Sequence, residues 1–262
     1  MSYYNNLFLG LFQKSDEIGS CFQSELNLCV KIEGPLIKGR FHSRPNRFLT
    51  VVEINGELVN SHLPDPGRLK ELLLPGAELY LRPVSEEIPR KTRFTTVMVC
   101  HKKKFISLVS TLPNRFVKES LKKNKLPMFK NYKLLKPEVT VGKHRFDFLL
   151  ESPKGKLFYL EIKSVTYVEN GIAQFPDAVT ERGARHAMAL AELVEQGNEA
   201  GILFVCQRKD GKLFKPMWER DPRFSEALVH SYNSGVKVWC IACSVTLKSI
   251  TLIREIPVNL TP

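Results

Sequence analysis

The sequence lacks a hydrophobic segment of the length that crossing a membrane requires. The apolar stretch near its start, residues 7–12, is too short to span a bilayer. The basic flank and the small-residue cleavage pattern of a signal peptide are missing as well. We therefore expect a cytoplasmic protein without a membrane partner.

Cysteine is scarce and does not follow the pattern of a structural zinc site. Cys240 and Cys243 have a spacing that suits a metal, but tetrahedral zinc needs a second pair of ligands. The sequence offers neither another CxxC nor a matching pair of histidines. We expect reduced, mostly buried thiols at positions 21, 29, 100, 206, 240 and 243.

The sequence also lacks the glycine-rich loops of nucleotide-binding enzymes. No GxxxxGK[ST] and no GxGxxG segment is present, which disfavours nucleoside-triphosphate and dinucleotide chemistry. The sequence supports no Ser-His-Asp or Cys-His catalytic arrangement as well as it supports a site built on acidic residues.

Acidic residues are few relative to basic ones. The 262 residues include 39 Lys and Arg against 27 Asp and Glu, which gives a formal net charge of +12 and a pI near 9.4. Such a charge attracts polyanions, so DNA or RNA is the leading partner class, and a solubility charge is the alternative. Hydrophobic residues make up 43% of the chain, as in folded proteins, which excludes wholesale disorder.

Residues 31–110 have the pattern of a small antiparallel β-domain, preceded by an N-terminal extension, residues 1–30, to which we assign no role. Asn55-Gly56 is a strong hairpin signal, and residues 74–76 indicate a second turn. The pattern favours a barrel or a sandwich. The predicted strands are residues 48–54, 78–83, 93–100 and 105–109.

Basic and aromatic residues alternate in this first domain. The mixture is typical of a groove for single-stranded nucleic acid, where cations attract phosphates and rings stack on bases. The alternative is a solvated fringe of loops around core phenylalanines. The basic residues are Lys38, Arg40, Arg44, Arg47, Arg90, Lys91, Arg93 and residues 102–104, and the aromatic ones are Phe41, Phe48, Phe94 and Phe105.

The pattern changes near residue 110, where longer helical periods begin to separate the strands. We therefore predict a second domain, residues 111–262, with the element order αβββαβαβ. The helices are predicted at residues 115–124, 177–196 and 222–234, with Asp177 as an N-cap, and the strands at residues 138–141, 145–150, 157–165, 201–206 and 236–242.

Two predicted strands of this second domain carry an acidic pair. In residues 157–165 the side chains alternate, so Glu161 and Lys163 share one face. The preceding strand ends in a turn, residues 151–156, that favours an antiparallel hairpin. If the pairing is symmetric about Lys154, Asp147 lies directly opposite Glu161, whereas a slip of one residue would send it to the other face.

Two opposed carboxylates destabilise a sheet unless a cation compensates them. Oxygen ligands suit Mg²⁺ or Mn²⁺, which usually takes one or two carboxylates together with water and substrate phosphates. Lys163 on the same face could neutralise charge on a phosphate or help to activate water, which is the chemistry of phosphodiester hydrolysis. An ordinary surface ion pair is the alternative.

Other charged residues are candidates around this pair. Glu138 begins the preceding strand and could add an oxygen to the metal, or it could simply face solvent. Glu119, among lysines on the first predicted helix, has ordinary ion-pair partners. Arg182 and His186, at i and i+4 of the next helix, could hold a phosphate near the metal, or His186 could transfer a proton, and a helix-flank ion pair is equally compatible.

From about Leu36 onward the sequence resembles the sugar fermentation stimulation protein A (SfsA) family. The resemblance is carried by GRF, NRF, PGRL, LPG, RFDF, EIKSV and FPDAVTERG at residues 39–41, 46–48, 66–69, 74–76, 145–148, 161–165 and 175–183. It implies an α+β protein of two domains: an N-terminal OB-like β-barrel that binds nucleic acid, then an α/β restriction-endonuclease-like (PD-(D/E)xK) domain.

The same resemblance implies roles for individual residues. Asp147, Glu161 and Lys163 take the positions of the catalytic set, Glu138 that of the supporting acid, and Arg68 lies in a family loop where it could touch phosphate. Three functions remain open: a Mg²⁺- or Mn²⁺-dependent DNA or RNA nuclease, a DNA-binding regulator that keeps a nuclease fold, and an interaction scaffold. The intact acidic pair with its lysine favours the nuclease, and a homodimer is left open.

Overall fold

The computed structural model describes residues 29–85 and 87–262 of the chain. Our expectations for residues 7–12, for Cys21 and for most of the N-terminal extension lie outside this part. No helix of the described residues is both long and apolar enough to cross a membrane.

Most elements follow one another through short connections, whereas residues 63–77 form a long irregular connection between the fourth and fifth strands. In the first half they are β1 (Cys29–Lys31), β2 (Ile37–Asn46), β3 (Leu49–Ile54), β4 (Glu57–His62), β5 (Glu78–Pro83), β6 (Phe94–His101) and β7 (Lys104–Ser107). In the second half they are α1 (Leu112–Lys122), a single 3-10 turn (Pro127–Phe129), β8 (Lys133–Val141), β9 (His144–Glu151), β10 (Leu157–Val165), β11 (Tyr167–Glu169), β12 (Ile172–Phe175), α2 (Glu181–Glu195), β13 (Glu199–Cys206), β14 (Leu213–Pro216), α3 (Pro222–Asn233), β15 (Lys237–Val245) and β16 (Ser249–Ile256).

Strands β2 to β6 close into a five-stranded barrel, and β7 extends it as a hairpin partner of β6. The long strand β2 pairs with both β3 and β5, and a parallel pairing of Ser61 with Phe94 closes β4 onto β6. Asn55 and Gly56 both have positive φ, 52° and 87°, as the predicted hairpin turn requires. The pairing matches the five-stranded barrel expected of an OB-like domain.

The second domain is built on one mixed sheet. In the described residues its seven strands follow the order β1-β16-β15-β13-β10-β9-β8, with β10, β13 and β15 parallel and the outer pairs antiparallel. A small second sheet, β11-β12-β14, lies beside it. This arrangement confirms an α/β domain after the barrel.

Both faces of the large sheet are covered, so its central strands are buried on each side. Helix α1 and the barrel pack on one face, where Phe116 and Met98 meet Leu160 of β10. Helices α2 and α3 pack on the other face, where Leu190 and Phe224 belong to the same core. Tyr159, Glu161 and Lys163 therefore alternate with core residues along the most enclosed part of the sheet.

The last strand predicted for the second domain is wrong. Residues 236–242 are not the last strand, because β16 follows β15 and pairs antiparallel with it. Three consecutive exposed residues, 253–255, obscure the alternation of β16 in the sequence. β1 pairs with β16, so residues 29–31 extend the sheet of the second domain and not the barrel.

Helix α2 begins later than the sequence pattern predicts. The N-cap is Thr180, whose side chain accepts a hydrogen bond from the Gly183 amide at 3.1 Å. Asp177, which we expected in this role, lies in the preceding loop, and its carboxylate accepts from the Leu69 amide of the first domain at 3.4 Å. The loop before α2 is thereby tied to the barrel.

Residues 63–69, which we call the docking loop, form one part of the contact between the domains. Arg44 donates to the backbone carbonyls of Asp65 and Arg68, at 3.3 and 2.7 Å. The Asp65 carboxylate accepts from the Gly67 amide at 2.8 Å, and burial raises the pKa of Asp65 to about 6. A methyl group at Gly67 would collide with the carboxylate oxygens of Asp65 and Asp177, so glycine is required there.

We expect Gly67→Ala to destabilise the protein by about 1–3 kcal/mol, because the added methyl group must displace two carboxylates at the domain contact. Thermal unfolding followed by circular dichroism measures the effect as a lower Tm. Arg68→Ala is the matched control, since its side chain on the same loop is exposed. A Gly67→Ala protein with an unchanged Tm would contradict this account of the contact.

Candidate active site

The hairpin β9–β10 has the register that the sequence predicts. Leu157 pairs with Glu151 and Leu160 with Phe148, which is the pairing symmetric about Lys154. Gly155 has a φ of 74° in the turn that sets this register. Continuing the register by one position places Asp147 opposite Glu161.

Asp147 lies where the backbone pairing of β9 with β10 ends. Beyond Leu160 the Ile162 amide donates to the carboxylate Oδ2 of Asp147 at 2.7 Å. The Asn114 side chain, from the first turn of α1, donates to the other oxygen, Oδ1. Donors from two different elements thus fix the carboxylate beside β10.

Glu161 is almost fully buried and has an uneven set of partners. Its Oε1 accepts from Lys163 Nζ at 2.6 Å and from His186 Nδ1 at 2.8 Å. Its Oε2 is buried and has no hydrogen-bond partner among the residues that the structure describes. A buried, unpartnered carboxylate oxygen is costly, so this atom calls for a ligand.

The two carboxyl groups have opposite pKa shifts. Burial and the neighbouring Glu161 charge raise the pKa of Asp147 to about 6. Burial alone would raise the pKa of Glu161, but the Lys163 ammonium and the His186 hydrogen bond outweigh it, so this pKa is lowered. Glu161 is therefore the ionised partner in the metal-free protein, while Asp147 keeps its proton in mildly acidic solution.

The donor set fits a hard divalent cation. Two carboxylates and no nearby thiol suit Mg²⁺ or Mn²⁺, and the free Oε2 of Glu161 supplies an oxygen for it. Within residues 29–85 and 87–262, no group of three or more His, Cys, Asp or Glu side chains is placed to hold a metal. That still suits Mg²⁺, which usually takes one or two carboxylates and completes its shell with water and phosphate.

Glu138 lies in an unusual backbone conformation next to this pair. Pro137 pairs with Phe148 and Val139 with Phe146, which leaves Glu138 opposite Asp147 in the register. Its φ of 53° is rare for a residue with a side chain, and such strain tends to occur at functional sites. The Glu138 side chain is exposed, so its role as a supporting acid stays a prediction.

His186 contacts the acid and not open solvent. It is 4% exposed, and its Nε2 accepts from Arg182 Nε at 3.4 Å. Because a guanidinium only donates, this bond leaves Nδ1 to donate to Glu161. The predicted i, i+4 pair thus forms a chain that ends on Glu161, whereas Glu119 has the expected ordinary partner, Lys122, at 3.2 Å.

Asn114 is a residue of the site that sequence reasoning missed. Its contact with Asp147 depends on how α1 packs against the sheet, and no local pattern marks it. Its position in the first turn of a helix that follows the domain boundary is the one signal available.

The expected aromatic residues of the barrel divide into core and surface. Phe41 is buried, and Phe94 and Phe105 are partly buried against the two cores. Phe48 is 48% exposed, and the Arg47 guanidinium lies 5.8 Å from its ring centre. Of these four residues, only Phe48 is exposed to this extent and can offer its ring to a nucleic-acid base.

The predicted cations of the barrel are exposed, with two exceptions, Arg44 and Lys104, and Lys104 forms an ion pair with Asp210 at 2.7 Å. Arg44 is partly buried and donates to backbone carbonyls, including that of Arg47 at 2.8 Å, which differs from the phosphate contact that we expected. Because it bonds the carbonyls of both Arg47 and Arg68, those two residues lie at the same end of the barrel. The exposed cations are Arg40, Arg47, Arg68, Arg90, Lys91 and Arg93.

Comparison with known proteins gives consistent matches over both domains. A family model described as the SfsA N-terminal OB domain matches residues 43–108, and one described as the sugar fermentation stimulation protein RE domain matches residues 111–249. The sugar fermentation stimulation protein homolog of Clostridium tetani is 41% identical over 223 residues, which cover 85% of this chain and 96% of that protein. The homolog of Moorella thermoacetica is 42% identical over 231 residues, which cover 88% of this chain and all of that protein.

A solved structure agrees with these matches. SfsA of Pyrococcus furiosus, determined in complex with Ca²⁺, superposes with a TM-score of 0.80 at 28% identity. The match covers 88% of this chain and 98% of that one. Together with the domain matches it confirms the expected order of an OB barrel and a restriction-endonuclease-like domain.

We expect Asp147 to titrate with a pKa of about 6 in the metal-free protein, and Glu161→Gln to lower that pKa by removing the adjacent negative charge. Carbon-13 NMR of the carboxyl groups in the presence of a chelator measures both values. Because the folded pKa exceeds the unfolded value of about 3.9, the stability that the protonated group contributes is lost as the pH rises from about 4 to 6.

Glu119→Gln serves as the control for this titration, since it removes a carboxylate that is paired with Lys122 on the exposed side of α1. An Asp147 pKa near 4 in the wild-type protein would contradict the burial argument. An unchanged value in Glu161→Gln would contradict the coupling between the two acids.

Proposed function

Because this chain belongs to the sugar fermentation stimulation protein family, we propose that it is a nucleic-acid-binding protein that hydrolyses phosphodiester bonds with Mg²⁺ or Mn²⁺. The observation that carries the proposal is the buried Glu161, whose Oε2 has no partner while Asp147 is held beside the same strand. A protein that only binds DNA gains little from two neighbouring acids, one buried and one partly buried, next to a polyanion, since they repel it.

Asp147 and Glu161 would hold the metal ion. When bound, such an ion supplies positive charge to the phosphate and to the leaving oxygen. The Pyrococcus relative was solved with Ca²⁺, which is likewise an oxygen-seeking cation, and this supports the choice of metal class.

The remaining residues position the acids and supply charge. The Asn114 side chain and the Ile162 amide hold Asp147 in place, and His186 holds Glu161. The Lys163 ammonium, bonded to Glu161 at 2.6 Å and 13% exposed, reaches the surface where a phosphate would lie. It orients the attacking water and stabilises negative charge that develops on the phosphate.

Hydrolysis forms a bond between phosphorus and the water oxygen and breaks the bond to the leaving sugar oxygen. The water gives up a proton, and the leaving oxygen gains one. The exposed cations Arg47 and Arg68 at one end of the barrel, together with Phe48, supply the binding surface for the strand.

We expect the purified protein to cleave labelled DNA or RNA in the presence of Mg²⁺ or Mn²⁺ and not in the presence of a chelator. Asp147→Asn and Glu161→Gln should each lower the cleavage rate at least about a hundredfold, because each removes a charge that holds the metal. Binding without metal should persist in both variants. Single-stranded and duplex forms of both nucleic acids are tested by gel electrophoresis of the products.

Glu119→Gln is the control for loss of an acid elsewhere and should cleave like the wild type. Circular dichroism establishes that each variant is folded. Binding without any metal-dependent product, in wild type and variants alike, would replace this proposal by a DNA-binding regulator that keeps a nuclease fold.

We expect Phe48→Ala to weaken binding of single-stranded DNA by roughly 5- to 100-fold, since stacking of one base on an aromatic ring contributes about 1–3 kcal/mol. Phe48→Trp should retain binding. Leu58→Ala is the matched control, because Leu58 is 57% exposed and lies at the opposite end of the same barrel. Fluorescence anisotropy with a labelled strand gives the Kd, and equal losses for Phe48→Ala and Leu58→Ala would argue against stacking.

A further inference from the structure

A cleft of about 580 Å³ lies between the tip of the β8–β9 hairpin and the first turns of α2. Every side chain that lines it is basic or is a histidine. The lining residues are Lys143, His144, Arg145, Arg182, Arg185 and His186. We call this feature the phosphate cleft.

The charge of this cleft is largely uncompensated. Among the described residues no acidic side chain lines it, although Glu161 bonds the lining His186, and the ion pair of Glu181 with the lining Arg185, at 3.6 Å, is exposed to solvent on both sides. Such an exposed pair contributes little and leaves the arginine available. Burial, His186, Lys143 and Arg185 lower the pKa of His144 and outweigh Glu192, which raises it, as expected in a positive environment.

The cleft is connected to the acidic site through one side chain. Arg182 donates to His186 Nε2 at 3.4 Å, and His186 Nδ1 donates to Glu161 Oε1 at 2.8 Å. A single imidazole ring therefore separates the cations of the cleft from the acid that would hold the metal. An anion in the cleft would lie beside, and not at, the reacting phosphate.

We propose that the phosphate cleft binds a backbone phosphate of the nucleic-acid strand, adjacent to the phosphate that lies at Asp147 and Glu161. This inference rests on the proposed function and adds to it the position of the strand. Arginine forks bind phosphate oxygens in pairs, and the hairpin and the helix supply such cations from opposite walls. The bound strand passes from the partly buried Lys163 ammonium over His186 toward the hairpin tip.

The test compares two double variants with equal loss of charge. Lys143→Gln with Arg145→Gln alters the cleft, and Lys133→Gln with Lys154→Gln alters exposed lysines at the far end of the same strands. Binding of labelled DNA and RNA strands is measured by anisotropy with a chelator present, over a range of salt concentrations. We expect the cleft variant to bind about tenfold more weakly, with a salt slope reduced by about one for each phosphate that it no longer neutralises, and the control to bind like the wild type.

A second arm locates the phosphate. Strands that carry one neutral methylphosphonate, placed at each position in turn, are bound to the wild type and to the cleft variant. We expect one position at which the neutral linkage weakens the wild type but not the variant, because both changes remove the same interaction. Inorganic phosphate is tested as a competitor and as a stabiliser of the wild-type Tm.

Equal, salt-dependent strand binding by wild type and cleft variant would overturn this inference and leave the proposed function intact. A Tm shift with inorganic phosphate, combined with unchanged strand binding in the variant, would mean that the cleft holds a free anion, which also overturns it. A wild-type protein that binds neither DNA nor RNA would refute the proposed function together with the inference.

Discussion

The register of the hairpin β9–β10 is the constraint on which the rest of the site depends. It places Asp147 opposite Glu161, two acids that would repel each other if both were charged and unpartnered. The fold tolerates them because the Lys163 ammonium neutralises one acid, His186 donates a hydrogen bond to the same acid, and Asn114 holds the other. These partners come from β10, α2 and α1, so packing on both faces of the sheet is needed before the pair is stable. A site of this kind forms only in the completed domain.

The docking loop makes the barrel part of this arrangement. Arg44 holds the loop through backbone carbonyls, and Asp177 of the second domain accepts a hydrogen bond from it. Asp177 lies just before Thr180, where the helix that carries His186 begins. The barrel is therefore attached close to the start of the helix that supports Glu161. Loss of the close approach at Gly67 would disturb the domain contact and the support of the acid together.

Local signals in the sequence were sufficient to predict the acidic pair, but they were insufficient to predict the residues that bond to it. Turn residues and side-chain alternation act over a few positions, so the opposition of Asp147 and Glu161 could be predicted. The contacts of Asn114 and His186 depend on how helices cross the sheet, which no local pattern specifies. Arg44 shows the same limit, because a basic residue in a cluster of cations suggests a phosphate ligand until its carbonyl partners are known. The short strand β1 was missed because its three residues have no measurable period.

The division of partners between the two oxygens of Glu161 explains how one acid can serve two purposes. Lys163 and His186 both bond to Oε1, so positive charge and orientation are supplied through a single oxygen. Oε2 is left buried and unbonded on the same carboxylate. If the two donors were divided between both oxygens, neither oxygen would be left without a hydrogen bond, and the carboxylate would resemble an ordinary buried salt bridge. The asymmetry therefore argues that the surrounding residues hold Glu161 for a ligand outside the polypeptide.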